Sequence, residues 1–382
     1  MKYKLIGIYM ILKYFLFLIL GSLLKIHPGY RNIWIIAERG YDARDNAYHF
    51  FNYIMSTTNR HNIYYVIDKN SEDFSKIRQH SNIIQHNSFK HWLYFATSSF
   101  KISTHIMGYS PDMYIFYLLD KYSLIFGKKV FLQHGIIYND FPQLYYPNAK
   151  LDLFICGAKP EFEYVSKNFN HPQGVVKYLG LCRYDNLSNI NTDRIVLIMP
   201  TWRSFLSNCK SDIEFMETDY YKKYNSLICS EKLLEVLTRN NYRLLFYPHY
   251  EMQKFVHCFN NINDRVIIAS KSQYDVQHLL KKAQLLITDF SSVFFDFAYM
   301  KKPILFYHFD SDENYRKPGY LNLKSCSFGD WYSNESNLIS TISDIIEKDC
   351  KLPESTENEI NDFFILRDSN NCKRTYEAIL DL

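Results

Sequence analysis

Between Leu285 and Tyr307 the chain reads LLITDFSSVFFDFAYMKKPILFY, two short apolar runs separated by a polar break and an amphipathic stretch. Leu285–Thr288 and Pro303–Tyr307 have the length and continuous apolar character of strands buried on both faces of a parallel sheet. A helix is expected between them: Phe294, Phe295, Phe297, Ala298 and Met300 give it an apolar surface, Lys301-Lys302 suit its negative end, and Pro303 stops it. The unit is then β-α-β, with Asp289-Phe290-Ser291-Ser292 at the carboxyl end of its first strand, where open α/β sheets bind ligands. Two readings of the serines stay open at this point. They cap the helix, or they join the free N–H groups of its first turn in holding an anion.

The same alternation runs through the chain. Strands are expected at Asn32–Glu38, Ile63–Asp68, Asn82–Gln85, Lys101–His105, Val130–Gln133, Leu153–Cys156 and Val176–Leu179, with helices over Asn46–Met55 and His91–Phe100. A second series has strands at Arg194–Met199, Arg243–Tyr247 and Val266–Ala269, a helix over Lys232–Thr238, and the unit described above. With 382 residues there is enough chain for two cores. The pattern predicts an α/β protein of two halves facing a cleft, residues 29–188 and 189–355, joined near the polar stretch Leu187–Asp193. The tail, 356–382, is expected to be helical over Asp362–Leu382 and to pack back on the first half.

The amino terminus departs from this soluble pattern. Leu5–Leu24 is apolar over the length of a bilayer core, interrupted by Lys13 and flanked by Lys2, Lys4 and Lys25. Residues 1–28 are therefore expected to form a membrane-associated helix, spanning the bilayer or lying in its interface with Lys13 snorkelling. A buried core helix and a signal peptide are the alternatives, and no small-x-small cleavage site follows. Elsewhere, 47% hydrophobic and 22% charged residues describe a globular protein. A formal charge of +4 without a Lys/Arg-rich run gives no reason to expect a nucleic-acid groove. The eight cysteines never form Cys-x-x-Cys, which suits a reducing cytosol better than a disulfide framework or a zinc ribbon.

Reactive residue types gather at expected strand ends. His134-Gly135 follows one strand; histidine can serve as a general base, and glycine permits a tight turn or a close approach of ligand to the backbone. Pro200-Thr201-Trp202-Arg203 follows another, offering a hydroxyl, an aromatic plane and a guanidinium suited to phosphate. Pro248-His249 follows a third, and Asp296 lies one helical turn beyond Ser292. Each is weak alone, and a lone strand-end histidine is more often structural.

Taken in order, Gln133-His134-Gly135, Gly180-Leu181-Cys182-Arg183-Tyr184-Asp185, Pro200-Thr201-Trp202-Arg203, Pro248-His249 and Thr288-Asp289-Phe290-Ser291-Ser292 with Asp296 resemble the CDP-glycerol:poly(glycerophosphate) glycerophosphotransferase family. That family includes teichoic-acid primases and polymerases and related capsule enzymes. The resemblance runs from about Trp34 to Tyr307. It implies a GT-B-like fold of two Rossmann-type domains at the cytoplasmic face of the membrane. It also implies transfer of glycerol phosphate or ribitol phosphate from CDP-glycerol or CDP-ribitol to a lipid-linked glycan or polyol-phosphate polymer, with release of CMP and no cofactor. By the same resemblance His134 and His249 are catalytic, while Arg183, Thr201, Ser291, Ser292 and Asp296 contact the donor; Gly135 and Arg203 join the donor site on their strand-end positions and chemistry. His134 is taken as the base, and exchange of the two histidines' roles stays open. Two departures stand out: Cys182 replaces a common proline, and Ile136-Ile137-Tyr138-Asn139-Asp140 replaces the usual Thr-Pro and lysine after His-Gly, which puts the acceptor and the polyol in doubt. The competing readings are a GT-B glycosyltransferase using a nucleotide sugar and an inactive membrane scaffold. No metal is expected, although Asp310-Ser311-Asp312-Glu313 contains an Asp-x-Asp that could hold a divalent ion.

Overall fold

The computed structural model describes residues 2–58, 60, 62–187, 192–259, 263–310, 317–323, 326 and 328–382. Contacts divide the chain into two units: Met1–Ile137 with Phe141–Asn186 and Leu366–Leu382, and Tyr138–Asp140 with Leu187–Ile365.

The first unit comprises α1 (Lys2–Leu24), β1 (Trp34–Ala37), α2 (Asn46–Thr57), β2 (Ile63–Ile67), β3 (Ile83–Gln85), α3 (Phe89–Thr97) and β4 (Phe100–Ser103). It continues with α4 (Met113–Lys121), β5 (Lys128–Phe131), β6 (Leu153–Cys156), α5 (Lys159–Asn168) and β7 (Val176–Tyr178). The second comprises β8 (Ile195–Ile198), α6 (Asp212–Met216), α7 (Asp219–Ile228), α8 (Glu231–Arg239), β9 (Arg243–Phe246), β10 (Val266–Ile268), α9 (Val276–Lys282) and β11 (Leu285–Thr288). After these come α10 (Val293–Tyr299), β12 (Ile304–Tyr307), β13 (Gly329–Tyr332), α11 (Glu335–Glu347) and α12 (Glu354–Phe363). The last helix, α13 (Asn371–Leu380), returns to the first unit.

The first sheet has the order β3-β2-β1-β4-β5-β6-β7 and the second β10-β9-β8-β11-β12-β13. Every pairing is parallel. Numbered from its own first strand, each sheet contains the doubly wound order 3-2-1-4-5-6, so both units are Rossmann-type and the expected α/β class holds. Each has a switch point, β1/β4 in the first and β8/β11 in the second, where the chain leaves adjacent strands in opposite directions and opens a crevice.

Strand periodicity explains the layering. In the first unit Ile33, Ile35 and Ala37 pack with α1, α3 and α4, while Trp34 and Ile36 pack with α2 and α13. Asp185 secures α13 by accepting the backbone N–H groups of Asn371 and Cys372 at 2.9 and 2.8 Å. In the second unit Val196, Ile198, Leu244, Phe246, Leu285 and Ile287 share a core with Tyr220, Tyr224 and Leu237 of the covering helices.

Sequence and structure differ in several places. Phe100 begins a strand instead of ending a helix, because α3 stops at Thr97. The tail is two helices, broken between Phe363 and Asn371. The strand β13 escaped the sequence reading: Gly329-Asp330-Trp331-Tyr332 sits at a sheet edge, half exposed, and needs no apolar run. Residues 188–191 of the expected joint lie outside the described residues. All eight cysteines are free.

Candidate active site

In the first unit the site begins with the turn after β1. Asp45 caps α2, and its carboxylate sits at the helix's positive end. One oxygen faces His134 Nδ1 at 2.5 Å and the other accepts from Arg183 Nη1 at 2.8 Å. Burial opposes ionisation of Asp45, but the charges of Arg183 and then His134 outweigh it and hold the carboxyl well below its usual range. An anionic partner on Nδ1 fixes the proton there and leaves the lone pair of neutral His134 on Nε2. The His134 side chain is 67% exposed while Asp45 is 10% exposed, so the ring is held from inside and presented to solvent.

The segment carrying His134 is fixed on both sides. Arg183 Nη1 also donates to the His134 carbonyl at 2.6 Å, and Asn46 Nδ2 donates to the Gln133 carbonyl at 2.8 Å. Gln133 is fully buried with φ of +62°, a conformation uncommon outside glycine. Its side-chain amide donates to Ile155 O and Glu161 Oε1. Glu161 also accepts from the backbone of Ile137 and Gly157 at 2.5 and 2.7 Å, and burial raises its pKa to about 7 despite those bonds. The left-handed residue of this turn is thus Gln133; Gly135 is not among the positive-φ residues, so of the two roles open to it the close approach of ligand to backbone is the one that stays. His105, just beyond β4, lies with its ring 5.1 Å from that of His134; burial first, then His134 and Arg39, push its pKa down to about 4.

In the second unit Asp289 organises the switch point. Its carboxylate accepts from Thr201 N at 2.9 Å, Thr201 Oγ1 at 2.5 Å, Phe290 N at 2.7 Å and Arg203 Nη1 at 2.7 Å. Thr288 Oγ1 donates to Met199 O at 2.6 Å, so the ends of β8 and β11 are cross-linked twice. Arg203 is 1% exposed and reaches Asp310 through Nε at 2.8 Å and Nη2 at 3.2 Å, with its guanidinium 4.4 Å from the Phe290 ring centre. The guanidinium expected to meet phosphate is therefore buried between two carboxylates. Asp310, the first acid of the Asp-x-Asp considered for a metal, is committed to this pair, and Asp312 lies outside the described residues.

His249 follows β9 and is half-buried. Its Nδ1 accepts the Glu251 N–H at 3.4 Å, which puts the proton of the neutral ring on Nε2, and its ring is inclined 23° to that of Trp202 with centres 6.5 Å apart. Helix α10 has Ser292 at its N-cap position, but Ser292 has helical backbone angles and no side-chain cap bond. The cap reading of that serine fails. Ser291 is half-buried, Ser292 exposed, and Asp296 buried in the first turn of α10.

The structure thus brings His134 and Arg183 together in one unit, and Thr201 and Arg203 in the other. The sequence reading missed Asp45, Glu161 and His105, and quoted Asp289 without giving it a role. An acid before a helical stretch signals a cap, so Asp45 could have been found as one. Nothing local announces its pairing with a histidine 89 positions away.

The family model described as CDP-Glycerol:Poly(glycerophosphate) glycerophosphotransferase matches residues 22–381. The chain is 33% identical over 365 residues to the minor teichoic acid biosynthesis protein GgaB of Bacillus subtilis, covering 92% of this chain and 40% of that one. It is 31% identical over 204 residues to a teichoic acid poly(glycerol phosphate) polymerase of Bacillus spizizenii, covering 50% of this chain and 46% of the relative. The chain therefore spans less than half the length of these relatives. Among solved structures one of the wall teichoic acid polymerase TagF superposes with a TM-score of 0.64 at 17% identity, covering 91% of this chain and 88% of the chain in that structure, a likeness of fold.

Proposed function

The chain belongs to the CDP-glycerol:poly(glycerophosphate) glycerophosphotransferase family, and from that premise we propose that it transfers a polyol phosphate from a CDP-linked donor to a hydroxyl group. The polyol is glycerol or ribitol. The acceptor is a lipid-linked glycan or a growing polyol-phosphate polymer at the cytoplasmic membrane surface. In this reaction the acceptor oxygen bonds to the phosphorus bearing the polyol, the bond from that phosphorus to the bridging oxygen breaks, and CMP leaves with the bonding pair.

The observation that carries the reading is the Asp45–His134 pair. A buried anion on Nδ1 leaves Nε2 as a lone pair aimed outward, the arrangement of a general base that takes the acceptor's proton. Arg183 and Glu161 act as positioning residues for that ring, which shifts Arg183 away from direct donor contact. His249 offers the complementary group: with Nδ1 accepting, its Nε2–H is a donor suited to the diphosphate. Thr201, Ser291 and Ser292 are the hydroxyls at the second switch point that would meet donor oxygens, and Asp296 accepts from a serine or a sugar hydroxyl. Arg203 supports this surface from beneath through Asp289.

The test is nucleotide release. Incubated with CDP-glycerol, CDP-ribitol and UDP-sugars beside an acceptor, the protein should liberate CMP from one CDP-polyol and nothing from the sugars. Release of a nucleoside diphosphate from a sugar donor would instead make it a glycosyltransferase, and no turnover of any donor would favour a scaffold.

A further inference from the structure

We propose that Asp212, His257 and Cys258 bind a zinc ion on the second unit, at the far end of the segment that starts with His249. His257 and Cys258 are adjacent in sequence, and Asp212 stands 45 positions before His257. The fold brings them together. Asp212 opens α6, whose cap Ser211 accepts the Glu214 N–H at 3.3 Å. His257 and Cys258 close a 3-10 stretch, Tyr250–Cys258, whose N-cap is His249. Aromatic packing holds the two elements against each other. The Phe215 and Phe255 rings stack with centres 4.4 Å apart and planes 3° from parallel, and Phe259 meets Phe215 edge-on at 5.8 Å. Tyr221 Oη donates to the Cys258 carbonyl at 3.0 Å, which fixes the backbone that carries the thiol.

On this frame a carboxylate oxygen, an imidazole nitrogen and a thiol sulfur converge, all within 4.8 Å of one another. His257 Nε2 lies 2.9 Å from Asp212 Oδ2, and the Cys258 thiol meets the same carboxylate. Tetrahedral zinc, with bonds of ~2.0 Å to nitrogen and oxygen and ~2.3 Å to sulfur, sets neighbouring donors ~3.3–3.5 Å apart. A small opening of the His257–Asp212 contact therefore makes room for the ion. The side chains of His257 and Asp212 are 62% and 55% exposed and can turn, whereas Cys258 is 7% exposed at the rim of the second unit's core. The ion then has a dry side and a wet one, and its fourth position falls to water. The donor set selects the metal, because thiolate and imidazole suit zinc, while magnesium and calcium take oxygen ligands. On binding, zinc accepts lone pairs from Asp212, His257 Nε2 and Cys258 Sγ; the thiol proton passes to solvent and the imidazole keeps its own on Nδ1. A surface ion pair alone accounts for Asp212 and His257 but leaves the thiol unexplained.

The test is titration of chelator-treated protein with Co²⁺, whose absorption reports its ligands. The expected result is a sulfur-to-cobalt charge-transfer band together with the visible bands of tetrahedral coordination. Zn²⁺ should abolish both, and excess Mg²⁺ should leave them unchanged. Loss of an outer-shell partner costs a metal site ~10–100-fold in affinity, so removal of a ligand by His257→Gln or Cys258→Ser should weaken Zn²⁺ binding at least ~10²-fold. His257→Gln changes an exposed side chain and should melt with the parent in chelator, so its weaker binding is not unfolding. In the parent, Zn²⁺ should raise the melting temperature; in His257→Gln it should not. Cobalt bound without the sulfur band, displacement by Mg²⁺, or bands that survive in His257→Gln would each overturn the proposal. Loss of the sulfur band in Cys229→Ser, a control at another thiol, would place the ion elsewhere and overturn it too. The assay uses neither donor nor acceptor, so it stands or falls apart from the polyol-phosphate reading.

Discussion

In the first unit a buried aspartate, Asp45, holds a histidine that is 67% exposed; in the second a buried aspartate, Asp289, holds an arginine that is 1% exposed. Both acids follow the first or fourth strand of the same doubly wound order. What differs is where the partner cation ends. Asp45 lends its charge to a ring that stands in solvent and can exchange protons. Asp289 spends its acceptors on Thr201, Phe290 and Arg203, and the result is two strand ends locked together. The second histidine, His249, is steadied by a backbone N–H on Nδ1 and by its ring, inclined 23° to that of Trp202. One topology can therefore poise a reactive group or make a rigid floor, depending on whether the ion pair is carried to the surface or kept inside.

The largest effect should come from breaking the poised pair. His134→Ala is expected to cut CMP release ~10²–10⁴-fold, and Asp45→Asn nearly as much, with the fold retained. His249→Ala should cost ~10²–10³-fold through lost charge stabilisation. If Asp45→Asn turns over at the parental rate, the histidine held by a carboxylate is not the base and the role passes to His249.

The locked pair should answer in stability. Arg203→Met removes the guanidinium from the buried carboxylate of Asp289 and from the half-buried one of Asp310, which costs ~3–5 kcal/mol, to be read in denaturant melts. A loss below ~1 kcal/mol would mean that the cluster is not a structural lock and would return Arg203 to the donor surface.

A pH effect of intermediate size is expected in the first unit. Glu161 has its pKa raised from 4.5 to about 7, chiefly by burial. Across that window the folded state keeps a proton that the unfolded state has lost, so Glu161's contribution to stability is full below the lower value and declines as pH rises through the upper one. Melts of the parent between pH 4.5 and 7 should show that decline, and Glu161→Gln should make it shallower without abolishing it, because buried Glu38, raised to about 8, titrates over the same range. An identical slope in both proteins would rule out Glu161 as its source.

The smallest stability change belongs to Ser291→Ala with Ser292→Ala. Since Ser292 makes no side-chain cap bond, the melt should move by less than ~0.5 kcal/mol. Donor binding should weaken by ~1.5–3 kcal/mol for each lost bond to charged phosphate. Calorimetry with CDP-glycerol or CDP-ribitol that finds parental affinity would remove the serines from the donor site.

Much of the fold was legible because strand and helix patterns are properties of neighbouring residues. Runs such as Ile195–Ile198 and Leu285–Ile287 are apolar throughout because both faces of a central parallel strand are covered, and this shows without knowing the neighbours. The edge strand β13, lacking that demand, was invisible. Strand ends were equally legible, so His134, His249, Thr201 and the serines could be named as candidates from position alone. Their environments could not. Whether Arg203 meets solvent or two carboxylates, whether Ser292 caps, and which histidine has Nδ1 on an anion depend on strand order and register, which bring Asp45 to His134 and Asp289 to Thr201 across 89 and 88 positions. The same holds for α1. Its composition specified an apolar helix, and only its packing against α3 and α4 decided which face was left for anything else. Periodicity is written locally because side chains project from the backbone in a fixed rhythm; burial and pairing are set by what the rest of the chain places opposite, and that exists only once the sheets have formed.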